Sequence, residues 1–347
     1  MRRMAIVIHP GALGDVLLSL AAIRTIRNAT SVCDIGLIAQ GEAGRLLAAC
    51  GEVQRLFSIE SQDLSTLLSG GTLRPELQIW LQASDLTVAW MADTDGKNRE
   101  MLHHVGVHQA IVRSPMSVDL LATHQEDRFL ETVKSIAPGM PNEAKLLLPP
   151  SILASGKDLF GQMGIMGNHP RVAVFHPGSG SRHKCGDPVL FAKAIAYCQS
   201  NKTIPIIVGG PADDEAVAQL LHECEKRPLV IQHKELLSIA GMLAHASLFV
   251  GYDSGLTHLA ARLHVPTLAI FGPTDQRRWA PKGMNVTVLI GETCRCSGWD
   301  AVRSCPDKPC LRISHQELIA ACELKLKSPG MPNLYAPDRL VMSRHLC

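Results

Sequence analysis

Short apolar runs alternate with amphipathic stretches along most of the chain. In the first half, residues 4–8, 34–38, 53–59 and 87–91 read as strands. Between them, residues 15–27 place Val16, Leu20, Ile23 and Ile26 at helical spacing, and residues 42–50 and 124–136 also read as helices. Residues 93–99 read as a polar loop, and the four prolines of 138–150 read as the start of a linker. The second half repeats the alternation, with strands at 172–175, 205–208, 229–231, 248–250 and 267–271. Its helices fall at 188–198, 212–225, 236–246 and 256–263. Continuously apolar strands are those buried on both faces. Strand–helix alternation predicts parallel sheets with right-handed crossovers, an α/β chain.

The pattern begins twice in nearly the same words. One apolar run ends in His9-Pro10-Gly11, another in His176-Pro177-Gly178. Pro and Gly end a strand and turn the backbone sharply. Two such starts half a chain apart predict two doubly wound domains, 1–155 and 156–327, followed by a tail at 328–347. Length agrees, since 347 residues is long for one core. In such sheets ligands bind beyond the carboxyl ends of the strands.

Composition narrows the function. A formal charge of +2 gives no electrostatic case for nucleic acid, and 4% aromatic residues leave little for base stacking. No apolar stretch reaches the roughly 18 residues of a spanning helix. The run after Met1-Arg2-Arg3 is too short for a signal peptide. These features predict a cytoplasmic protein and leave docking on a membrane surface open. Eleven cysteines, seven of them scattered (Cys33, Cys50, Cys185, Cys198, Cys224, Cys322 and Cys347), suit a reducing compartment.

Four strand-end loops carry the candidate chemistry. Gly11-Ala12-Leu13-Gly14-Asp15 opens a helix, where free N–H groups attract anions. Asp15 reads either as a helix-capping carboxylate or as a cleft-facing general base. The second loop, Gly178 to Lys184, offers the Ser179 and Ser181 hydroxyls with Arg182 and Lys184, a set suited to phosphate. The third, Asp253-Ser254-Gly255-Leu256-Thr257-His258, again opens a helix; Asp253 is its candidate cap, and His258 reads as a core or ligand histidine. The fourth, Gly272 to Asp275, is expected beside the third.

Taken together and in order, these motifs resemble glycosyltransferase family 9, the lipopolysaccharide heptosyltransferases and their relatives. The resemblance rests on Gly11 to Leu20, His176 to Gly180, Gly209 to Asp213 and Val250 to Ala261, then Leu268 to Asp275. It implies a GT-B fold, two Rossmann-like domains facing across a cleft, the first for the acceptor and the second for a nucleotide-sugar donor. It implies an inverting transfer of a sugar, heptose from ADP-heptose, to a lipopolysaccharide-core or other glycan acceptor, free or lipid-linked. No cofactor is required for that catalysis, and contact with the inner membrane would be peripheral.

By position, Asp15 is the general base, and Gly11 and Gly14 shape the acceptor-side loop. Ser179, Lys184, Asp253, Ser254, Gly255, Leu256 and His258 form the donor-binding set, with Asp15 expected to face Lys184. Two positions depart from the family pattern. Gly186 stands where an aromatic is common, and Trp90 occupies a strand end where an Asp is frequent.

Cys294, Cys296, Cys305 and Cys310 stand within seventeen residues and could hold a structural zinc or iron, or be plain reduced thiols. Two other classes remain: a non-catalytic sugar-nucleotide binder and a dinucleotide-dependent oxidoreductase. Against the latter, neither loop is GxGxxG.

Overall fold

A computed structural model describes residues 3–29, 32–59, 66–67, 71–117, 123–136, 145–165 and 171–327. The expected tail at 328–347 and the proline-bearing stretch 138–144 lie outside the described residues. The chain separates into two compact units that meet in sequence at Leu147 and Leu148.

The first unit carries five parallel strands in the order β3-β2-β1-β4-β5. They are β1 (Arg3–His9), β2 (Val32–Ala39), β3 (Arg55–Ser58), β4 (Leu86–Ala89) and β5 (Ala110–Val112). The expected helix at 15–27 is two helices, α1 (Leu13–Leu18) and α2 (Leu20–Ala29). They part at Ser19, whose hydroxyl donates back to the Val16 carbonyl at 2.8 Å. A buried Ser that bonds its own helix backbone competes with helix continuation. Next come α3 (Gly41–Ala49), α4 (Pro75–Ala83), α5 (Lys97–His104) and α6 (Gln125–Val133). The polar stretch expected as a loop at 93–99 thus runs into α5. Its start is held by the Asp93 carboxylate, which accepts the Asn98 N–H at 2.8 Å. Polarity misled here because α5 buries only Leu102.

The second unit opens with α7 (Pro150–Gln162), where the proline-rich reading expected only a linker. Pro150 stands at the first helical position, where its missing N–H costs nothing. Six parallel strands follow in the order β11-β10-β9-β6-β7-β8. They are β6 (Val172–His176), β7 (Ile204–Gly209), β8 (Leu229–Gln232), β9 (Leu248–Tyr252), β10 (Thr267–Phe271) and β11 (Val286–Ile290). Their helices are α8 (Pro188–Ser200), α9 (Asp214–Glu223), α10 (Leu236–Leu243), α11 (Gly255–Arg262), α12 (Gln276–Trp279), α13 (Trp299–Arg303) and α14 (His315–Lys327). Strands β6, β9 and β10 are wholly buried, as a sheet covered on both faces requires.

Both strand orders reverse direction once, between β1 and β4 in the first unit and between β6 and β9 in the second. That reversal opens a crevice at the carboxyl edge of a doubly wound sheet. The His-Pro-Gly loops follow β1 and β6, so each lies at its own unit's switch point. No helix among the described residues is long and apolar enough to cross a membrane.

Candidate functional site

At the first switch point, His9 ends β1 and is buried. Its Nδ1 accepts the Gly11 N–H at 3.1 Å. The ring packs against Trp90 and Phe129, with centroids 5.5 and 5.2 Å away. Burial lowers the His9 pKa to about 4, so the imidazole is neutral at physiological pH. Asp15 is the third residue of α1, and its Oδ2 accepts the Ala12 N–H at 3.1 Å. Its carboxylate thus satisfies one of the free donors of the helix start. Trp90, one residue past β4, is a core residue. The nearest acidic side chain downstream, Asp93, is engaged at the start of α5.

At the second switch point, three loops are laced together. Lys184 Nζ donates to Asp253 Oδ2 at 2.7 Å, and Ser179 Oγ donates to the Asp253 carbonyl at 2.6 Å. These bonds join the loop after β6 to the loop after β9, so Ser179, Lys184 and Asp253 share one cluster. Ser254 caps α11, its hydroxyl oxygen accepting the Thr257 N–H. Asp253, the cap expected from sequence, is instead spent on Lys184. Ser254, in extended conformation just before the first helical residue, is the one placed to reach the third helical N–H. With that donor satisfied, the N–H groups of Gly255 and Leu256 head the helix. His258 lies buried one turn on.

Sequence reasoning missed two members of this site, His176 and Asp213. His176 Nδ1 lies 3.1 Å from Ser254 Oγ, and its Nε2 lies 3.1 Å from Asp213 Oδ2. A carboxylate only accepts, so the Nε2–H of His176 donates to Asp213, while Nδ1 shares a hydrogen bond with the Ser254 hydroxyl. Asp213 also accepts the Gly210 N–H at 2.7 Å. Burial works to raise the Asp213 pKa, but the His176 bond and charge and the Gly210 N–H outweigh it and hold it below the usual range. The chain from Asp213 through His176 to Ser254 fixes the start of α11. The signal is present in His176-Pro-Gly-Ser-Gly and Gly209-Gly-Pro-Ala-Asp213, which carry the family resemblance without a role for His176 or Asp213.

The four clustered cysteines line a cavity of about 450 Å³. Partial desolvation, then the neighbouring thiols of Cys294 and Cys305, push the Cys296 thiol up to about 11; desolvation, then Cys294, does the same at Cys310. The thiols neighbour one another without closing into a ligand cage. Among the described residues no group of three or more His, Cys, Asp or Glu side chains could hold a metal ion as placed.

The sequence profile of "Glycosyltransferase family 9 (heptosyltransferase)" matches residues 157–306, which hold the whole second switch point. Over this stretch the chain is similar to glycosyltransferase family 9. Among curated family-9 relatives, lipopolysaccharide heptosyltransferase 3 of Escherichia coli K12 is 27% identical over 129 residues, 36% of this chain and 38% of that protein. Lipopolysaccharide heptosyltransferase 1 of Pseudomonas aeruginosa is 37% identical over 147 residues, 42% of this chain and 39% of that protein. The chain thus spans about two fifths of the length of the curated relatives it matches.

Solved structures share the fold over far more of the chain. That of the Veillonella parvula family-9 glycosyltransferase matches with a TM-score of 0.79 at 17% identity, over 93% of this chain and 97% of that one. E. coli ADP-heptose lipopolysaccharide heptosyltransferase II matches at 0.72 and 16%, over 94% and 98%. The iron-containing dodecameric glycosyltransferase TibC of enterotoxigenic E. coli matches at 0.57 and 16%, over 93% and 76%. These likenesses establish the fold class, two Rossmann-like α/β units of GT-B type.

Proposed function

We propose that this chain is an inverting glycosyltransferase that moves heptose from ADP-heptose to a lipopolysaccharide-core or related glycan acceptor, free or lipid-linked. The observation that carries the reading is the cluster at the second switch point. One cation, one hydroxyl and two helix-heading N–H groups converge there where a doubly wound sheet binds phosphates. The names of matched relatives supply the donor and the sugar.

In this reading the Gly255 and Leu256 N–H groups and Lys184 neutralise the diphosphate as it leaves. That is stabilisation by groups already aimed at the developing charge, and it needs no cofactor. Ser179 and Asp253 keep Lys184 in place, and His258 supports the helix start from below. Asp15 takes the proton of the acceptor hydroxyl as that oxygen attacks the anomeric carbon from the face opposite the diphosphate. Gly11 and Gly14 leave the loop before Asp15 narrow enough for an acceptor. The reaction places the enzyme in the cytoplasm, in peripheral contact with the inner membrane where the acceptor is lipid-linked.

Calorimetric titration tests the donor half. ADP and ADP-heptose should both bind, and Lys184→Met should weaken both by about tenfold or more, the usual worth of a charge-assisted bond. A protein that binds no nucleotide sugar from a broad panel refutes the reading.

The four thiols are a separate proposal, a structural tetrathiolate site with no part in the reaction. Soft thiolates suit zinc or iron, and one solved neighbour is iron-containing. Purified protein should carry about one equivalent of either metal, the stoichiometry of a four-thiolate site. Elemental analysis finding under about a tenth of an equivalent in unstripped protein ends the proposal.

A further inference from the structure

The segment between β11 and α14 carries the four thiols, and the reading above gives it only a structural role. Its placement suggests more. It folds back across the carboxyl ends of β10 and β11. The Gly291 and Glu292 N–H groups donate to the Cys310 and Pro309 carbonyls, and Leu311 packs against Gly272 at the end of β10. From there it reaches the loop after β6 at two points. Lys308 Nζ donates to the Cys185 carbonyl at 2.9 Å and to the Arg182 carbonyl at 3.1 Å. Trp299, the first residue of α13, sets its ring 5.8 Å from Lys184 Nζ. Trp299 is 47% exposed, an unusual amount for so large an apolar side chain.

We infer that Trp299 is a donor-binding residue whose ring packs against the sugar moiety of the nucleotide sugar. The inference rests on the donor reading of the second unit. In a doubly wound sheet the nucleoside extends over the strand after the phosphate loop, here β7. The group on the other side of the diphosphate then lies towards β9 and β10, the side from which the thiol-bearing segment arrives. A sugar has hydroxyls at its rim and C–H groups on its faces. Recognition therefore calls for an aromatic surface beside a carboxylate, and Trp299 and Asp253 both approach the one Lys184 ammonium.

Gly186 explains why the ring comes from elsewhere. A Cβ at 186 would lie 3.1 Å from the Tyr252 hydroxyl and 3.4 Å from Leu311, so an aromatic side chain there would start in a tight space and need the Tyr252 hydroxyl to shift. The thiol-bearing segment supplies one from outside the loop.

Calorimetry with ADP and ADP-heptose on the full chain separates the possibilities. Trp299→Ala should weaken ADP-heptose binding about tenfold, as loss of a packed aromatic contact does. It should leave ADP binding and the melting temperature unchanged, and Trp299→Phe should restore most of the loss. Equal ADP-heptose affinity in wild type and Trp299→Ala overturns the inference while the donor reading stands. Parallel loss of ADP and ADP-heptose binding also overturns it, since the ring would then serve the nucleoside or the fold. Wild-type protein that binds neither ligand overturns the donor reading and this inference with it.

Discussion

Asp15→Asn is expected to lower sugar transfer about a thousandfold, within the range for loss of a general base. Asparagine keeps the shape of the side chain. Its amide oxygen can still accept the Ala12 N–H that Asp15 Oδ2 accepts at 3.1 Å, so α1 should keep its start and the melting temperature should hold. What disappears is the proton acceptor. The nearby His9 is no substitute, because it is buried and its Nδ1 already accepts the Gly11 N–H, which leaves the ring proton on Nε2. ADP binding, which the proposed function assigns to the second unit, should be unchanged. Single-turnover transfer measured beside ADP titration checks both halves. Wild-type turnover in Asp15→Asn would remove Asp15 as the base. Wild-type protein that binds donor yet transfers to no acceptor would identify a non-catalytic binder instead.

The largest expected effect on stability comes from the contact between α7 and α10. Gly156 and Gly241 face each other with no space for side chains. A Cβ on Gly241 would stand 2.1 Å from the Ile152 carbonyl oxygen, and one on Gly156 would stand 2.1 Å from the Gly241 carbonyl carbon. Both obstacles are backbone, so the helices themselves must part. Gly241→Ala should therefore destabilise the second unit by about 2–3 kcal/mol, the range for overpacking, and lower its melting temperature by roughly 5–10 °C. Gly161→Ala provides the control. It lies in α7, the other helix of the pair, with nothing within 4 Å of the added methyl, and it should be neutral or stabilising because alanine favours the helix. Equal melting temperatures for the two variants would refute the packing argument.

Most strands were legible because burial on both faces leaves uninterrupted apolar runs, as in β6, β9 and β10. Helices were legible where one face is clearly apolar, as in α2. They were lost where the turn chemistry pointed elsewhere: prolines ahead of α7, polar residues ahead of α5. In the candidate site, Lys184, Ser254 and Gly255 could be found because each sits at a strand–helix junction, where loop composition shows. His176 and Asp213 could not, since their importance lies in a pairing across 37 residues of sequence that only the sheet order creates. Trp299 was passed over because it lies outside every strand-end motif, and distance along the chain hides its approach to Lys184.

The α7–α10 contact also bears on how the chain can be divided. The stretch matched by the family profile begins at residue 157, one position after Gly156. A fragment cut at that point would discard the half of α7 that carries Ile152, together with the Leu153 carbonyl that receives His245 at 2.9 Å. The surface of α10 made for a close neighbour would then meet water, a flat apolar strip able to pair with other copies. Recognisable sequence and independently foldable sequence have different starting points in this protein, and the second is set by a pair of hydrogen atoms where side chains would normally stand.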